Sequence, residues 1–422
     1  MAIRFTESDR STIGVEWELQ LIDMDSDDLR QCADTVTQMA QQRGGSELIH
    51  GEMLRNTIEI VSRKRTTVAE CAQDLAEGIE FLEPILVPLR IELASAGAHP
   101  FADPAYQRVS DSARYAELVN RTQFWGRQML LFGTHVHVGV EDVRKVLPII
   151  NFLASKLGQL QALFASSPFW AGVDTGYCDN RAMVFQQLPT AGVPQLFPDW
   201  QQLEGFTRDM LKTGVISSFD EIRWDIRPSP QLGTIEVRVC DAVSNLTEIR
   251  ALAALVHCLV EYASRQLDEG QPLPTLPPWF VAENKWRAAR YGMDAILIDN
   301  SEGDESLITA SLPTWLASLE QVAADLGCAQ DLAEIPEIVH IGVGYQRQRS
   351  VAKQAGNLEA VVAHLRQEMV AGRPLRPHTE VSTKGVHAPA AGNRGWIGGR
   401  ESETDAEVRG AQPGDQPAPP PQ

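Results

Sequence analysis

Short runs of alternating apolar and charged positions are the clearest pattern along the chain. In Gly14-Val15-Glu16-Trp17-Glu18-Leu19-Gln20-Leu21 the apolar residues fall on one side of a strand, and Glu16, Glu18 and Gln20 on the other. Alone, this is the ordinary pattern of a half-solvated antiparallel strand. It recurs, however. Glu59 stands between Ile58 and Ile60, His135 and His137 oppose Val136 and Val138, and Glu236 and Arg238 oppose Ile235, Val237 and Val239. Arg223, Asp225 and Arg227 alternate in the same way around Trp224 and Ile226. Strands are therefore expected over residues 13–22, 57–61, 132–140, 222–227 and 234–240.

Helical periodicity predicts helices over residues 27–43, 67–95, 142–166, 245–267 and 350–371. Thr67 with Glu70 makes a capping box, and Asn245 with Glu248 a looser version of it. Pro84 and Pro88 should kink or divide the second helix. The elements lack the regular beat of a doubly wound fold, and no repeat of solenoid or propeller period is visible. From Arg373 onward, Pro, Gly, Ala, Ser and charged residues replace the apolar pattern. Such composition buries too little apolar surface to offset its ordering entropy. The expected division is a folded domain over residues 1–372 and a disordered tail over 373–422.

Charge narrows the function classes. Lys and Arg total 37 against 56 Asp and Glu, a formal charge of -19, which disfavours general binding to nucleic acid or an anionic membrane. No uncharged apolar run is long enough to span a bilayer, and residues 1–10 contain no apolar signal segment. The six cysteines are scattered without a CxxC pair, which points to reduced thiols and a cytoplasmic location.

The polar strand faces carry almost only Glu, His, Asp and Arg, and no lysine. If the strands share one sheet, that face gathers five carboxylates, two imidazoles and several guanidiniums. So much acid repels itself unless divalent cations neutralise it. A set rich in carboxylate and poor in imidazole suits Mg²⁺ or Mn²⁺ better than Zn²⁺. The arginines would meet an anion bridging the metals, and phosphate fits best. The chain has no P-loop and no GxGxxG before a helix, so metals and arginines would have to hold any nucleotide. Each acid alone also fits an ordinary surface position, and the two histidines alone also fit buried hydrogen-bonded residues. Cys240, placed by the alternation on the face of Glu236 and Arg238, is not taken as a nucleophile, because acidic neighbours would raise its pKa.

The stretches GVEWELQLID, HGEMLRNTIEIVS, GTHVHVGV, DTGYCDNRAM, WDIRPSPQLGTIEVRVCDA and ENKWRAARYGMDA resemble, in order, those of the glutamate–cysteine ligase type 2 family. These are carboxylate–amine ligases of the glutamine-synthetase-like superfamily. The resemblance runs from residue 13 to about residue 371 and leaves out the tail. It implies an α+β fold, with a curved, mainly antiparallel sheet forming an active-site funnel and helices packed on its outer face. It also implies an ATP- and Mg²⁺-dependent enzyme, with Mn²⁺ as an alternative. That enzyme joins a glutamate-like carboxylate to cysteine or another amine through an acyl phosphate, and works as a homodimer or higher homo-oligomer. Residue by residue, Glu16, Glu18, Glu52, Glu59, His135 and Glu236 match metal positions. His137 and Arg238 match positions near the nucleotide phosphates, and Arg227 one near the transferred phosphoryl group. Tyr177, Asn180 and Arg181 fall at substrate positions, and Lys285 and Arg287 at phosphate-reaching ones. Where the family usually has a third acid in the first motif, this chain has Trp17, on the core-facing side. A metal-dependent amide or phosphoester hydrolase, or a non-catalytic nucleotide or amino-acid sensor, would use the same residues without coupled ATP turnover.

Overall fold

A computed structural model describes residues 3–45 and 47–377. The tail expected over 373–422 lies, from residue 378 on, outside the described residues. Residues just past the expected boundary still engage the domain, since Leu375 N–H donates to Glu368 Oε1 at 2.9 Å.

The first half of the chain builds β1 (Ile13–Asp23), α1 (Ala33–Gln42), β2 (Ile49–Gly51), β3 (Thr57–Val61), α2 (Val68–Leu86) and β4 (Ile91–Ala94). There follow α3 (Ala113–Thr122), β5 (Thr134–Gly139), α4 (Val143–Ala154), α5 (Leu157–Phe164) and a two-stranded ribbon of β6 (Phe169–Trp170) and β7 (Val173–Asp174). Then come α6 (Asn180–Phe185), α7 (Trp200–Lys212), β8 (Ile226–Ser229), β9 (Thr234–Val237), α8 (Leu246–Asp268) and α9 (Pro278–Tyr291). Seven strands form one sheet in the order β2-β3-β1-β5-β9-β8, with β4 pairing the far end of β1, and all its pairings are antiparallel. The sheet is open, ending at β2 and β8.

Period-two alternation gives this sheet one dry face. Val15, Trp17, Leu19, Leu21, Ile58, Ile60, Val136, Val138, Ile226, Ile235 and Val237 are buried in one core. Helix α2 packs on β1 and β3, α8 on β5, and α4 on β8. Trp17 is fully buried there, and its indole N–H donates to Ser95 Oγ and Val243 O, both at 2.9 Å. The departure at this position therefore serves the core and leaves the charged face untouched. Truncating so large a buried side chain would cost about 3–5 kcal/mol.

Several expected helices are shorter or divided. The capping box at Thr67 and Glu70 starts α2 as expected. That helix tolerates Pro84 but gives way at Pro88 to a 3₁₀ turn; Arg90, at φ 56°, then leads into β4. The helix expected from residue 27 begins only at Ala33, because Asp27 sits at φ 55°, outside helical space. The run over 142–166 splits into α4 and α5, and the run over 350–371 splits at Gly356, φ 74°. Asn245 caps α8, accepting from Glu248 N–H at 3.0 Å. Among the described residues, no helix is long and apolar enough to cross a membrane.

Candidate active site

The strand registers decide which charged side chains meet. Residues directly opposite in an antiparallel pair share a face. Glu16 stands opposite His135, Glu18 opposite Glu59, His137 opposite Glu236, and Arg227 opposite Glu236. The polar face of β1, β3, β5, β8 and β9 is thus one continuous charged surface, the floor of a cavity of about 360 Å³. Glu52, just beyond β2, turns into the same cavity. It is held by its neighbour Met53 N–H at 2.9 Å and by Tyr115 Oη–H at 3.3 Å. Gly133 admits a close approach: a Cβ there would lie 2.2 Å from the Arg181 guanidinium and 2.8 Å from His135 Nε2.

His135 Nδ1 lies 2.9 Å from Glu16 Oε2, while Arg181 Nη2 lies 3.4 Å from His135 Nε2. Arg238 Nη1 also approaches Nδ1, at 3.5 Å. Burial and the Arg238 charge push this imidazole down to about 4, which keeps it neutral near pH 7. His137 behaves otherwise. Burial opposes its charge, but Glu236 and Glu16 outweigh burial and raise its pKa. Its Nδ1 meets Thr234 Oγ1 at 3.0 Å, while Nε2 lies 3.1 Å from Glu16 Oε1 with no aligned hydrogen bond. Glu236 is buried against Arg227 Nε at 2.7 Å and against Arg238 Nη1. Burial raises its pKa, yet Arg238, His137 and Arg227 hold it well below the usual carboxylate range. Glu16 is likewise held low by His135 and His137 against the effect of burial.

The other acids are strained electrostatically. Burial, reinforced by Glu52, pushes Glu18 up to about 8. Burial also raises Glu52, and it raises Glu59 well above its ordinary value, with Glu16, Glu52 and Glu18 adding to the effect. Three overlapping sets bring donor atoms within 4.8 Å of one another: Glu16, His137 and Glu236; Glu16, Glu59 and His135; Glu18, Glu52 and Glu59. The carboxylate-dominated donors fit hard divalent cations, which would relieve the repulsion.

Other expected residues stand elsewhere. Arg181 lines the cavity, with its guanidinium over the Phe185 ring at 5.8 Å, but Tyr177 and Asn180 do not. Asn180 is buried and spends its amide on Thr175 Oγ1 and Ser167 O. Lys285 does not reach the cavity either. It pairs at 2.6 Å with Asp225, both buried. Asp225 leaves the charged face because residues 223–225 bond to the loop at Thr190 and Gly192, and β8 starts only at Ile226. Arg287 pairs with Glu283 and Glu305, away from the cavity. Cys240, expected on the charged face, lies in the core with its thiol on Leu160 O, because β9 ends at Val237 and the alternation stops. Arg114 and Tyr115 of α3 line the cavity without having been foreseen. An exposed helix carries no strand-like alternation to mark them.

The antiparallel sheet thus carries, on one face, a cavity floored by acids and arginines. The profile of glutamate–cysteine ligase family 2 matches residues 12–364, and the chain belongs to that family. It is 51% identical over 368 residues to a Mycobacterium ulcerans protein named "Putative glutamate–cysteine ligase 2", covering 87% of this chain and 93% of that one. A Mycolicibacterium vanbaalenii relative, "Putative glutamate–cysteine ligase 2-1", is 50% identical over 369 residues, covering 87% of this chain and 96% of that one. Among solved structures, the Francisella tularensis glutamate–cysteine ligase in complex with AMP superposes with a TM-score of 0.61 at 11% identity, covering 87% of this chain and 94% of that one. A bifunctional glutathione synthetase from Pasteurella multocida gives 0.57 at 14% identity, covering 86% of this chain and 51% of that one. At these identities the two structures share the fold.

Proposed function

We propose that this carboxylate–amine ligase depends on ATP and Mg²⁺ and works through an acyl phosphate. The substrate carboxylate attacks the γ-phosphate of ATP, ADP leaves, and an amine then displaces phosphate from the acyl carbon. Glutamate and cysteine are the first pair to test, in keeping with the names of the relatives. The observation that carries this reading is the packing of Glu16, Glu18, Glu52, Glu59 and Glu236 on one cavity floor, interleaved with arginines.

Glu16, Glu18, Glu52, Glu59, His135 and Glu236 would hold the cations, with Mn²⁺ able to replace Mg²⁺. Bound there, the metal would neutralise charge on phosphate oxygens. Arg227 and Arg238 stabilise the transferring phosphoryl group, and Glu236 fixes both guanidiniums. Arg238 Nε is buried without a partner, a donor available to an oxyanion. His137 faces the same phosphates, and Arg181 orients the carboxylate substrate. The six unpaired cysteines accord with a cytoplasmic site of action. Assembly as a homo-oligomer is proposed on family analogy alone.

The test is a phosphate-release screen with ATP, Mg²⁺ and a matrix of carboxylates and amines. Phosphate release that needs both an acid and an amine supports the reading. Cleavage of an amide or phosphoester at equal rates with and without ATP would mark a hydrolase instead. Nucleotide binding without turnover in any combination would mark a sensor.

A further inference from the structure

Five arginines line the cavity, and three of them are already engaged. Arg227 and Arg238 neutralise Glu236, and Arg181 Nη1 donates to the carbonyls of Arg238 and Val239 at 3.1 and 3.4 Å. Arg114 and Arg223 differ. Among the described residues neither has a carboxylate oxygen within 4.0 Å, although both face the same space. Arg223 is half-buried, and among the described residues its guanidinium donates one hydrogen bond, from Nη1 to Glu221 O at 2.9 Å. Burial pushes its guanidinium down to about 10 against the opposing pull of Glu221, and the like charge of Arg114 adds to the effect of burial. Two cations that face one cavity without a direct ion pair repel each other, and an oxyanion between them would turn that repulsion into attraction.

The element carrying Arg114 is suited to respond. No residue of α3 is buried. Its polar ties to the rest of the domain include Tyr115 on Glu52 and an ion pair of Arg121 with Glu221 at 4.0 Å. Glu221 is the residue whose carbonyl anchors Arg223, so α3 and the Arg223 segment already meet at one point. Leu118, from the same helix, also lines the cavity.

We propose that Arg114 and Arg223 form a second oxyanion site, separate from the acid-lined floor, which clasps a carboxylate or phosphate group of a bound substrate beneath α3. This rests on the ligase reading, which supplies two anionic substrates, an acid and a nucleotide. Such a site would select an acid with a second carboxylate, or would grip the phosphate tail of ATP.

Equilibrium binding separates these sources. Glutamate and Mg²⁺–ATP are titrated separately into the full chain, into Arg114→Ala and into Arg223→Lys, which keeps the charge but loses the planar fork. The expected result is a loss of at least about tenfold in affinity for one ligand in both variants, the size of one charge-assisted hydrogen bond. Binding of the other ligand should stay unchanged, as should the melting temperature. A loss confined to glutamate assigns the site to the acid; a loss confined to ATP assigns it to phosphate. Unchanged affinities for both ligands overturn the proposal, as do equal losses for both or a wild-type protein that binds neither. The ligase reading fails by a different result, the absence of carboxylate-dependent ADP formation in the wild type.

Discussion

Replacing Glu59 with glutamine should strengthen the metal-free fold while abolishing function. Donor atoms of Glu18, Glu52 and Glu59 lie within 4.8 Å of one another. Two unit charges at that separation repel by about 3.5 kcal/mol at an effective dielectric near 20. The substitution removes two such pairs within the trio and the repulsion with Glu16 as well, and partial protonation reduces the gain to about 1–3 kcal/mol. The sign with pH follows from the upward shifts, caused first by burial, that take Glu18 to about 8 and raise Glu52 and Glu59. A carboxyl whose folded pKa is raised contributes stability below its unfolded value and loses it as pH rises through the folded value. In EDTA, wild-type protein should therefore weaken between about pH 5 and 9, while Glu59→Gln weakens less and melts higher at the alkaline end. Mg²⁺ should restore the wild type and have a much smaller effect on the variant, because a ligand that binds only the native state stabilises in proportion to its affinity. Turnover should fall at least about 100-fold, in the range seen on removing one charge-stabilising group. The assay is thermal melting at three pH values with EDTA or Mg²⁺, together with ADP formation. A variant that melts below wild type in EDTA at alkaline pH, or an undiminished Mg²⁺ response, would refute the reasoning.

Glu236→Gln should leave the protein folded but remove turnover, since it takes away a charge that holds a cation and positions Arg227 and Arg238; near-normal rates at limiting Mg²⁺ would count against the cation role. Cys240→Ala should keep turnover within about threefold of wild type, because the thiol is buried against Leu160 and burial drives its pKa upward. Deleting residues 378–422 should leave kcat and melting temperature essentially unchanged; a loss beyond a few-fold would show that the tail contributes to the site.

How far the sequence reached depended on local rules. Period-two alternation survives folding wherever backbone pairing is regular, so Glu16, Glu18, Glu59, His135, His137 and Glu236 could be assigned to one face before their partners were known. It failed where pairing stops. Beyond Val237 the chain leaves β9, so Cys240 turns into the core, and Asp225 turns away because its segment bonds to the 190–192 loop. Lys285 is then paired with a buried acid outside the cavity. Helix lengths were overestimated for a similar reason: apolar periodicity runs on through Arg90 and Gly356, where positive φ values break the helix. Arg114 and Tyr115 became visible only in three dimensions, because α3 is placed over the cavity by tertiary contacts that leave no periodic trace.

The most direct test of an acyl-phosphate ligase is interception with hydroxylamine. Protein, ATP, Mg²⁺ and a carboxylate panel headed by glutamate are incubated without the natural amine, and hydroxamate and ADP are quantified together. Hydroxamate formed in stoichiometric proportion to ADP, only with the right carboxylate, and lost in Glu236→Gln, is the predicted result. ADP formation independent of any carboxylate, with no hydroxamate, would contradict it.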